Sequence, residues 1–356
     1  MENNATRWVL VSMIMASAAS AENGGFTSSD AGSSGGDPLN RVGISYRGGF
    51  NISGKFKNLG GYTLMNNPGP ASAGAEHFYD DGYNRVDSNG NAGNKTTFWG
   101  YANGGQHQGQ TIVMSSSSSA ANGSSKERDD DPQHGAEITY NRQLGTMGKT
   151  KWGIEGGFGF TDVTIQDRAT LFGTAMKVSD AYTIPDSFPP IIVPPAPYSG
   201  PFNGNGTAPV LGDLPSRTIT GIPNGTTVVG SRNFDADVYG LRVGPYLEIP
   251  LSKRFALSLS GGLALLSVSS DFEYKETVSI AGLPSQTRKG KGSRSEILPG
   301  GYFGGNLLFD LTERLNLSLG AQFQSNSTYT HKVNGKEAQL DLGRAVFVSA
   351  GVGFKF

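Results

Sequence analysis

The end of the chain alternates strictly between apolar residues and small or polar ones. One face of residues 348–356 carries Val348, Ala350, Val352, Phe354 and Phe356, and the opposite face carries Ser349, Gly351, Gly353 and Lys355. A period of two is that of a β-strand, whose side chains point alternately to opposite faces. A terminal Phe gains little by facing water, whereas on a strand that faces lipid it is stabilised. The pattern therefore predicts a strand with one lipid-facing side.

The same stretch resembles the C-terminal assembly signal of bacterial outer-membrane β-barrels. That signal places a polar residue, a glycine, an apolar residue and a final aromatic residue at set spacings, which here hold Ser349, Gly351, Phe354 and Phe356. The resemblance implies a bacterial outer-membrane location. It also implies as partners the membrane lipid and lipopolysaccharide, periplasmic chaperones and the barrel assembly machinery. It leaves the oligomeric state open.

The beginning of the chain predicts export. Arg7 precedes an apolar run, and small residues follow up to Ala19-Ser20-Ala21, which is the pattern of a cleavable secretory signal peptide over residues 1–21. We expect a flexible segment at 22–40 and a single barrel domain at 41–356. The absence of cysteine excludes disulfides and lipid attachment through cysteine. A net charge of −1 leaves no basic face for a nucleic-acid partner.

The middle of the chain predicts an all-β fold, namely a closed antiparallel transmembrane up-and-down β-barrel. Alternating runs such as residues 315–326 place apolar side chains on one face and polar ones on the other, as lipid-facing strands do. Short turns are predicted at about 145–148, 251–253 and 311–313. Longer connections, expected outside the cell, are predicted at about 118–134, 168–232, 273–294 and 328–339, and that at 168–232 is rich in proline. The run count predicts about ten strands, with eight or twelve also open. Pro245 predicts a bulge or break in its strand.

The inward faces of these strands carry charges of both signs. The predicted lumen cluster consists of Arg47, Lys55, Glu137, Glu155, Arg242, Glu248 and Lys355. Such charges must pair or be hydrated, so they either line a polar channel or form a salt-bridged plug. Eight to ten strands leave little free lumen, which favours the plug or a very narrow conduit. We expect Glu155, Arg242 and Glu248 to lie close together. Fifty-two glycines, many of them in strands, would give inward side chains room.

The function predicted from these features is structural or passively permeable, as in a porin. The alternatives are a surface adhesin that acts through its external loops and, with less support, a barrel hydrolase. The four histidines, His77, His107, His134 and His331, lie in no recognisable catalytic motif, so we expect no enzyme and no cofactor. Acidic runs at 80–81 and 129–131 are better explained as solvated loop charge than as a metal site, because no complete calcium loop is present.

The terminal aromatic residue provides the first test. Replacing Phe356 by Asp should reduce the folded protein in outer membranes without reducing its synthesis, because the last position of the assembly signal is lost. Phe356→Tyr keeps the aromatic ring and should assemble like the wild type. Heat-modifiable mobility on gels measures the folded fraction, and equal folded amounts of all three proteins would contradict the assignment.

Overall fold

The structure is a computed structural model that describes residues 38–187, 190–201 and 208–356. The predicted signal peptide and nearly all of segment 22–40 lie outside the described residues. The strands are β1 (Asn40–Phe50), β2 (Ser53–Leu59), β3 (His77–Tyr79), β4 (Gly82–Asn84), β5 (Lys95–Thr96), β6 (Trp99–Tyr101), β7 (His107–Gln108), β8 (Thr111–Ser118), β9 (Gly123–Ser124), β10 (Gln133–Met147), β11 (Thr150–Asp167), β12 (Leu171–Thr183), β13 (Tyr198–Ser199), β14 (Leu211–Gly212), β15 (Ser216–Pro250), β16 (Phe255–Ile280), β17 (Gln286–Asp310), β18 (Leu315–Asn326), β19 (Tyr329–Val333), β20 (Lys336–Asp341) and β21 (Ala345–Lys355). The only helical element among the described residues is a 3₁₀ turn at Gly104–Gln106, which is too short to span a membrane.

The long strands form a closed antiparallel ring in chain order. Its hydrogen-bonded neighbours run β1, β10, β11, β15, β16, β17, β18 and β21, and β21 pairs back onto β1. The predicted all-β antiparallel fold is confirmed. Because β21 pairs with β1, neither strand has an edge with unpaired backbone N–H and C=O groups. Strands surrounded by lipid require this pairing.

Three short connections lie at one end of the ring. Residues 148–149, 251–254 and 311–314 join consecutive strands there. The two ends of the ring-forming chain meet at the same end, where Asn40 and Phe356 exchange two backbone hydrogen bonds of 2.9 and 3.0 Å. The opposite end carries the longer excursions, such as residues 51–132 between β1 and β10, together with the five-residue turn at 281–285.

The ring has eight strands, one of the two counts left open beside the predicted ten. Residues 78–103 and 110–116 form strands outside the ring. β3, β4 and β6, all within residues 77–101, form a small sheet with the distant β13, and β8 pairs with β12 beyond the ring wall. Both runs are short and weakly alternating, so their polar backbone is satisfied outside the membrane.

The predicted loops at 168–232 and 273–294 are mostly strand. β12 and β15 occupy both ends of the first, and the proline-rich part is confined to residues 184–215. β16 and β17 extend through the second and leave only residues 281–285 as a turn. Most of 328–339 is also strand, in β19 and β20, whereas 118–134 contains only the end of β8, β9 and the start of β10. Pro245 shifts no register, because Val243 lies opposite Leu263 and Tyr246 opposite Ser260.

The side-chain pattern of the long strands inverts partway along their length. On β16, Leu263 and Leu265 face outward and are exposed, whereas from Leu266 onward the apolar residues face inward and are buried. The outward positions above Leu265 are polar, beginning with Ser267 and Ser269. β15 inverts at the same level, with Leu241 outward and Val238 inward. The lower part of the ring therefore suits lipid and the upper part suits water.

The upper strands enclose an apolar core. It is filled from inside by β2, β19 and β20, which pair with one another. Phe56 of β2 stacks on Phe272 of β16 with ring centroids 5.7 Å apart. We call the part of the protein above the lipid-facing belt the external lobe. A second cluster in this lobe joins Trp99, Tyr101 and Tyr182 to Ile112 and Met114.

The inverted pattern predicts where charge is tolerated. Leu319→Arg places a cation at the middle of the lipid-facing run of β18, where the leucine is 59 % exposed, and should cost about 2–4 kcal/mol of folding free energy. Ser269→Arg points outward too but lies above the belt, so it should cost less than about 0.5 kcal/mol. Urea titration of protein refolded into lipid vesicles measures both, and equal losses would show that the belt is misplaced.

Candidate functional site: a charge-paired lumen beneath the external lobe

Two arginines and two glutamates form a buried network in the lumen. Arg242 donates to Glu137 from Nε at 2.6 Å and also pairs with Glu155. Arg47 donates to the second oxygen of Glu137 at 3.0 Å. Glu155 also accepts from Asn141 Nδ2 at 2.6 Å. Each of the four charged residues is no more than 8 % exposed, so the network is neutral and removed from bulk water.

Aromatic rings hold the two guanidinium groups in place. The Arg47 guanidinium carbon lies 3.5 Å from the centre of the Phe347 ring, and that of Arg242 lies 4.8 Å from the Tyr302 ring. Cation–π contacts of this kind are strongest where the cation is desolvated. Both arginines are therefore fixed by rings as well as by carboxylates.

Glycines on β11 make room for the network. A Cβ atom on Gly157 would lie 2.7 Å from Arg242 Nε and 2.9 Å from Glu137 Oε1. One on Gly159 would lie 2.6 Å from an Arg47 nitrogen. The alternation of glycine on this inward face is what allows side chains as large as arginine to fill an eight-stranded lumen.

Glu248 and Lys355, two more of the predicted lumen charges, are not part of this network. Glu248 pairs with Arg41 at 2.6 Å, and Lys355 pairs with Asp310 at 2.7 Å, both at the end with short turns. Glu248 is six residues from Arg242 on one strand, which separates the two by about 20 Å. The expected triple of Glu155, Arg242 and Glu248 is therefore wrong in its third member.

Lys55 lies outside the lumen. Asn51 adopts φ of 59°, a left-handed conformation that ends β1, and the alternation reverses after it. Phe50 is consequently exposed, whereas Ile52 is buried. Lys55 lies on β2 of the external lobe, opposite Gln339.

Arg41, Asn141 and Asp310 were missed as partners, although the sequence carried a signal for them. Arg41 is an even number of residues from Arg47 on β1, and Asn141 is an even number from Glu137 on β10. The members of each pair therefore face the same side of the strand, but the spacing gives only this direction. The pairing itself depends on ring closure and on the stagger between strands.

The lumen holds little free space. A polar cavity of about 50 Å³ lies beside the network, lined among others by Arg41, Asn141, Ser260 and Asn306. This volume holds about four water molecules at most. Above the network, the lumen is filled by apolar side chains around Phe347 and Leu342, with a gap of only about 10 Å³. The charged network and the apolar layer therefore occupy two successive levels of the lumen.

The external lobe contains further buried ion pairs. Arg232 donates to Asp167 at 2.7 Å, and Arg217 donates to Asp180 at 2.6 and 2.8 Å. Asp180 also accepts from the Tyr79 hydroxyl at 2.5 Å, and burial raises the pKa of Tyr79 above its usual range. These contacts fix the lobe's segments to its strands and keep the tyrosine protonated.

The histidines are dispersed through the described chain. His77 bonds to the carbonyls of Pro68 and Ser72, His107 bonds to the carbonyl of Gly109, and His134 lies beside the Tyr46 hydroxyl. His331 Nδ1 is 2.9 Å from Ser270 Oγ, but both residues are buried, and burial lowers the pKa of His331. This serine–histidine contact lies inside the external lobe, away from its surface.

Carboxylates of the acidic runs at 80–81 and 129–131 accept hydrogen bonds from backbone N–H groups. Asp80 and Asp81 accept backbone N–H groups of Ser117 and Ser115 at 2.8 and 2.6 Å and so cap an edge of β8. Asp131 accepts the backbone N–H of Asn51 at 2.6 Å. No group of three or more potential metal ligands occurs within the described ranges.

Comparison with known proteins gives only distant similarity. No protein-family model and no curated protein matches the chain. Among solved structures, Ail, the attachment invasion locus protein of Yersinia pestis, is 10 % identical with a TM-score of 0.26, and the match covers 89 % of this chain and 99 % of Ail. The outer membrane protease OmpT of Escherichia coli is 8 % identical with a TM-score of 0.30, covering 92 % and 100 %. A Pseudomonas aeruginosa FadL homologue is 8 % identical with a TM-score of 0.18, covering 89 % and 90 %.

The inward glycine tests how tightly the lumen is packed. Gly157→Ala should destabilise the protein by about 1–3 kcal/mol, because its new methyl group meets Arg242 and Glu137. Gly156→Ala is the matched control on the opposite face, where the nearest atom would be 3.9 Å away, and should change stability by less than about 1 kcal/mol. Urea titration in lipid vesicles measures both. Equal effects would contradict the packed network.

Arg242 tests the charge balance. Arg242→Gln should cost about 3–5 kcal/mol, since it leaves two buried carboxylates facing one arginine. Removing one charge of each sign, in Arg242→Gln/Glu155→Gln, should be less costly than the single change because Arg47 and Glu137 remain paired. If the double variant is no more stable than the single one, the pairing does not control stability.

The closed ring and its lipid-facing belt, rather than the distant similarities, define the class: the chain has the fold of the outer-membrane β-barrel proteins.

Proposed function

We propose that this chain is a closed barrel of the bacterial outer membrane whose function resides in its external lobe, which binds ligands or partners at the cell surface. The observation that carries the proposal is the double seal of the lumen. The neutral network of Arg47, Glu137, Glu155 and Arg242 fills one level, and the apolar core above it fills the next.

This arrangement supports a surface-binding role over passive permeability. A solute would have to break desolvated ion pairs and then cross a layer of apolar side chains, both of which are costly. The external lobe, in contrast, comprises most of the chain between β1 and β10, and strands such as β16 and β17 extend into it. The barrel then serves as an anchor for the lobe.

Export through the signal peptide at 1–21, and insertion by chaperones and the assembly machinery through Ser349, Gly351, Phe354 and Phe356, belong to the same proposal. Ser349, Gly351 and Phe354 lie on β21, and Phe356 directly follows it and pairs with Asn40 where the two ends of the ring-forming chain meet. The outward-facing belt, from Val42 on β1 to Phe354 on β21, gives the lipid contact that the location requires.

Conductance measurements test the proposal. The purified full chain, inserted in planar lipid bilayers, should show no steady ion conductance, because the lumen is sealed. Bacteria that display the full chain should adhere to immobilised surface polysaccharide or matrix material more strongly than cells with an empty vector. Stable ohmic channels in the wild type, or adhesion equal to the vector control, would overturn it.

A further inference from the structure

Two lysines face each other directly on the outward surface of the β16–β17 hairpin. Lys275 of β16 lies opposite Lys289 of β17 in the antiparallel register, and both side chains are on the water-facing side. Like charges in this position repel and destabilise the pair of strands. No carboxylate among the described residues forms a salt bridge with either lysine, whereas nearby Lys291 lies 4.0 Å from Glu273.

We propose that this surface, formed by Lys275, Lys289 and Lys291, binds an anionic polysaccharide. The inference rests on the proposed surface-binding function and names its ligand class. Sulfate or carboxylate groups spaced along such a polymer would lie between the opposed ammonium groups and replace their repulsion by attraction. Hydroxyl groups adjoin the lysines: Ser231 lies in the same row, and Thr277 and Thr287 bond to each other at 2.8 Å in the next row.

Protection of a strand edge explains only part of this surface. Above Gly300, β17 has no strand partner on its second side among the described residues, and lysines on such an edge prevent aggregation. This accounts for Lys289 and Lys291. It does not account for Lys275, because β16 is paired on both sides at that position, with Ser231 and with Lys289.

The height of the lysines favours a soluble polymer over membrane phosphates. Lys275 lies ten residues above Leu265, the last outward apolar residue of β16, which is about 33 Å along the strand. With a strand tilt of about 40° this places the lysine about 25 Å above the lipid-facing belt. The polar headgroup region extends only about 5–8 Å beyond the hydrocarbon.

Carboxylates below the lysines point to the same source. Asp235 lies opposite Asp271 on an outward row between the belt and the lysines. This row repels lipid phosphates and leaves the lysines as the nearest attractive surface for an anion that approaches from the solution.

The test uses the full chain in nanodiscs of uncharged phosphatidylcholine, with immobilised heparin as the polysulfated probe. The wild type should bind in a salt-dependent manner. Lys275→Gln/Lys289→Gln should weaken binding about fivefold or more, as expected for the loss of two exposed ion pairs. Lys275→Arg keeps the charge and should bind like the wild type. Lys253→Gln, in a turn at the opposite end, should also leave binding unchanged.

Several outcomes would overturn the inference. They are no heparin binding by the wild type, an equal loss in Lys253→Gln, or undiminished binding by the double variant. Binding that appears only when lipopolysaccharide is added to the nanodisc would assign the lysines to lipid phosphates and also reject it. Heat-modifiable mobility confirms that each variant is folded. A wild type that binds no heparin yet remains non-conducting and adhesive would refute this ligand and leave the proposed function standing.

Discussion

Each long strand of this protein passes through two solvents, and that constraint organises the rest of the structure. Within lipid, apolar side chains must face outward, whereas in water they must face inward. On β16 the apolar side chains change from the outward to the inward face once, between Leu265 and Leu266, with no break in the backbone pairing. The same strands therefore build a lipid-facing ring and a water-facing lobe without a linker between them.

The inward charges follow from the same constraint. Below the level at which the apolar face changes side, the inward side chains are polar. A narrow lumen removes such side chains from water. Two arginines and two glutamates compensate one another, and glycines on the neighbouring strand provide the space. Above the change the lumen becomes an apolar core. The charged network and the apolar core thus fill two successive levels of the lumen.

The sequence predicted the features that depend on local alternation. These include the terminal strand, the three short turns and the inward direction of Glu137, Glu155 and Arg242. It failed where one residue changes the rule: Asn51 reverses the faces and moves Lys55 out of the lumen. The prediction of a loop at 273–294 is wrong, since Phe272, Tyr274 and Val278 alternate on one buried face with the period of a strand. The contact of Arg41 with Glu248 joins residues that are 207 positions apart in the chain, and it forms only when the ring closes.

The continuity of β16 and β17, of 26 and 25 residues, has a mechanical consequence. A load applied at the tip of this hairpin, away from the cell, acts along its strands and perpendicular to the hydrogen bonds that join them to β15 and β18. The bonds then bear the load in parallel, in shear, instead of opening one after another. Because the same strands continue into the membrane, tension on the lobe passes directly into the barrel wall, with no flexible joint to stretch first.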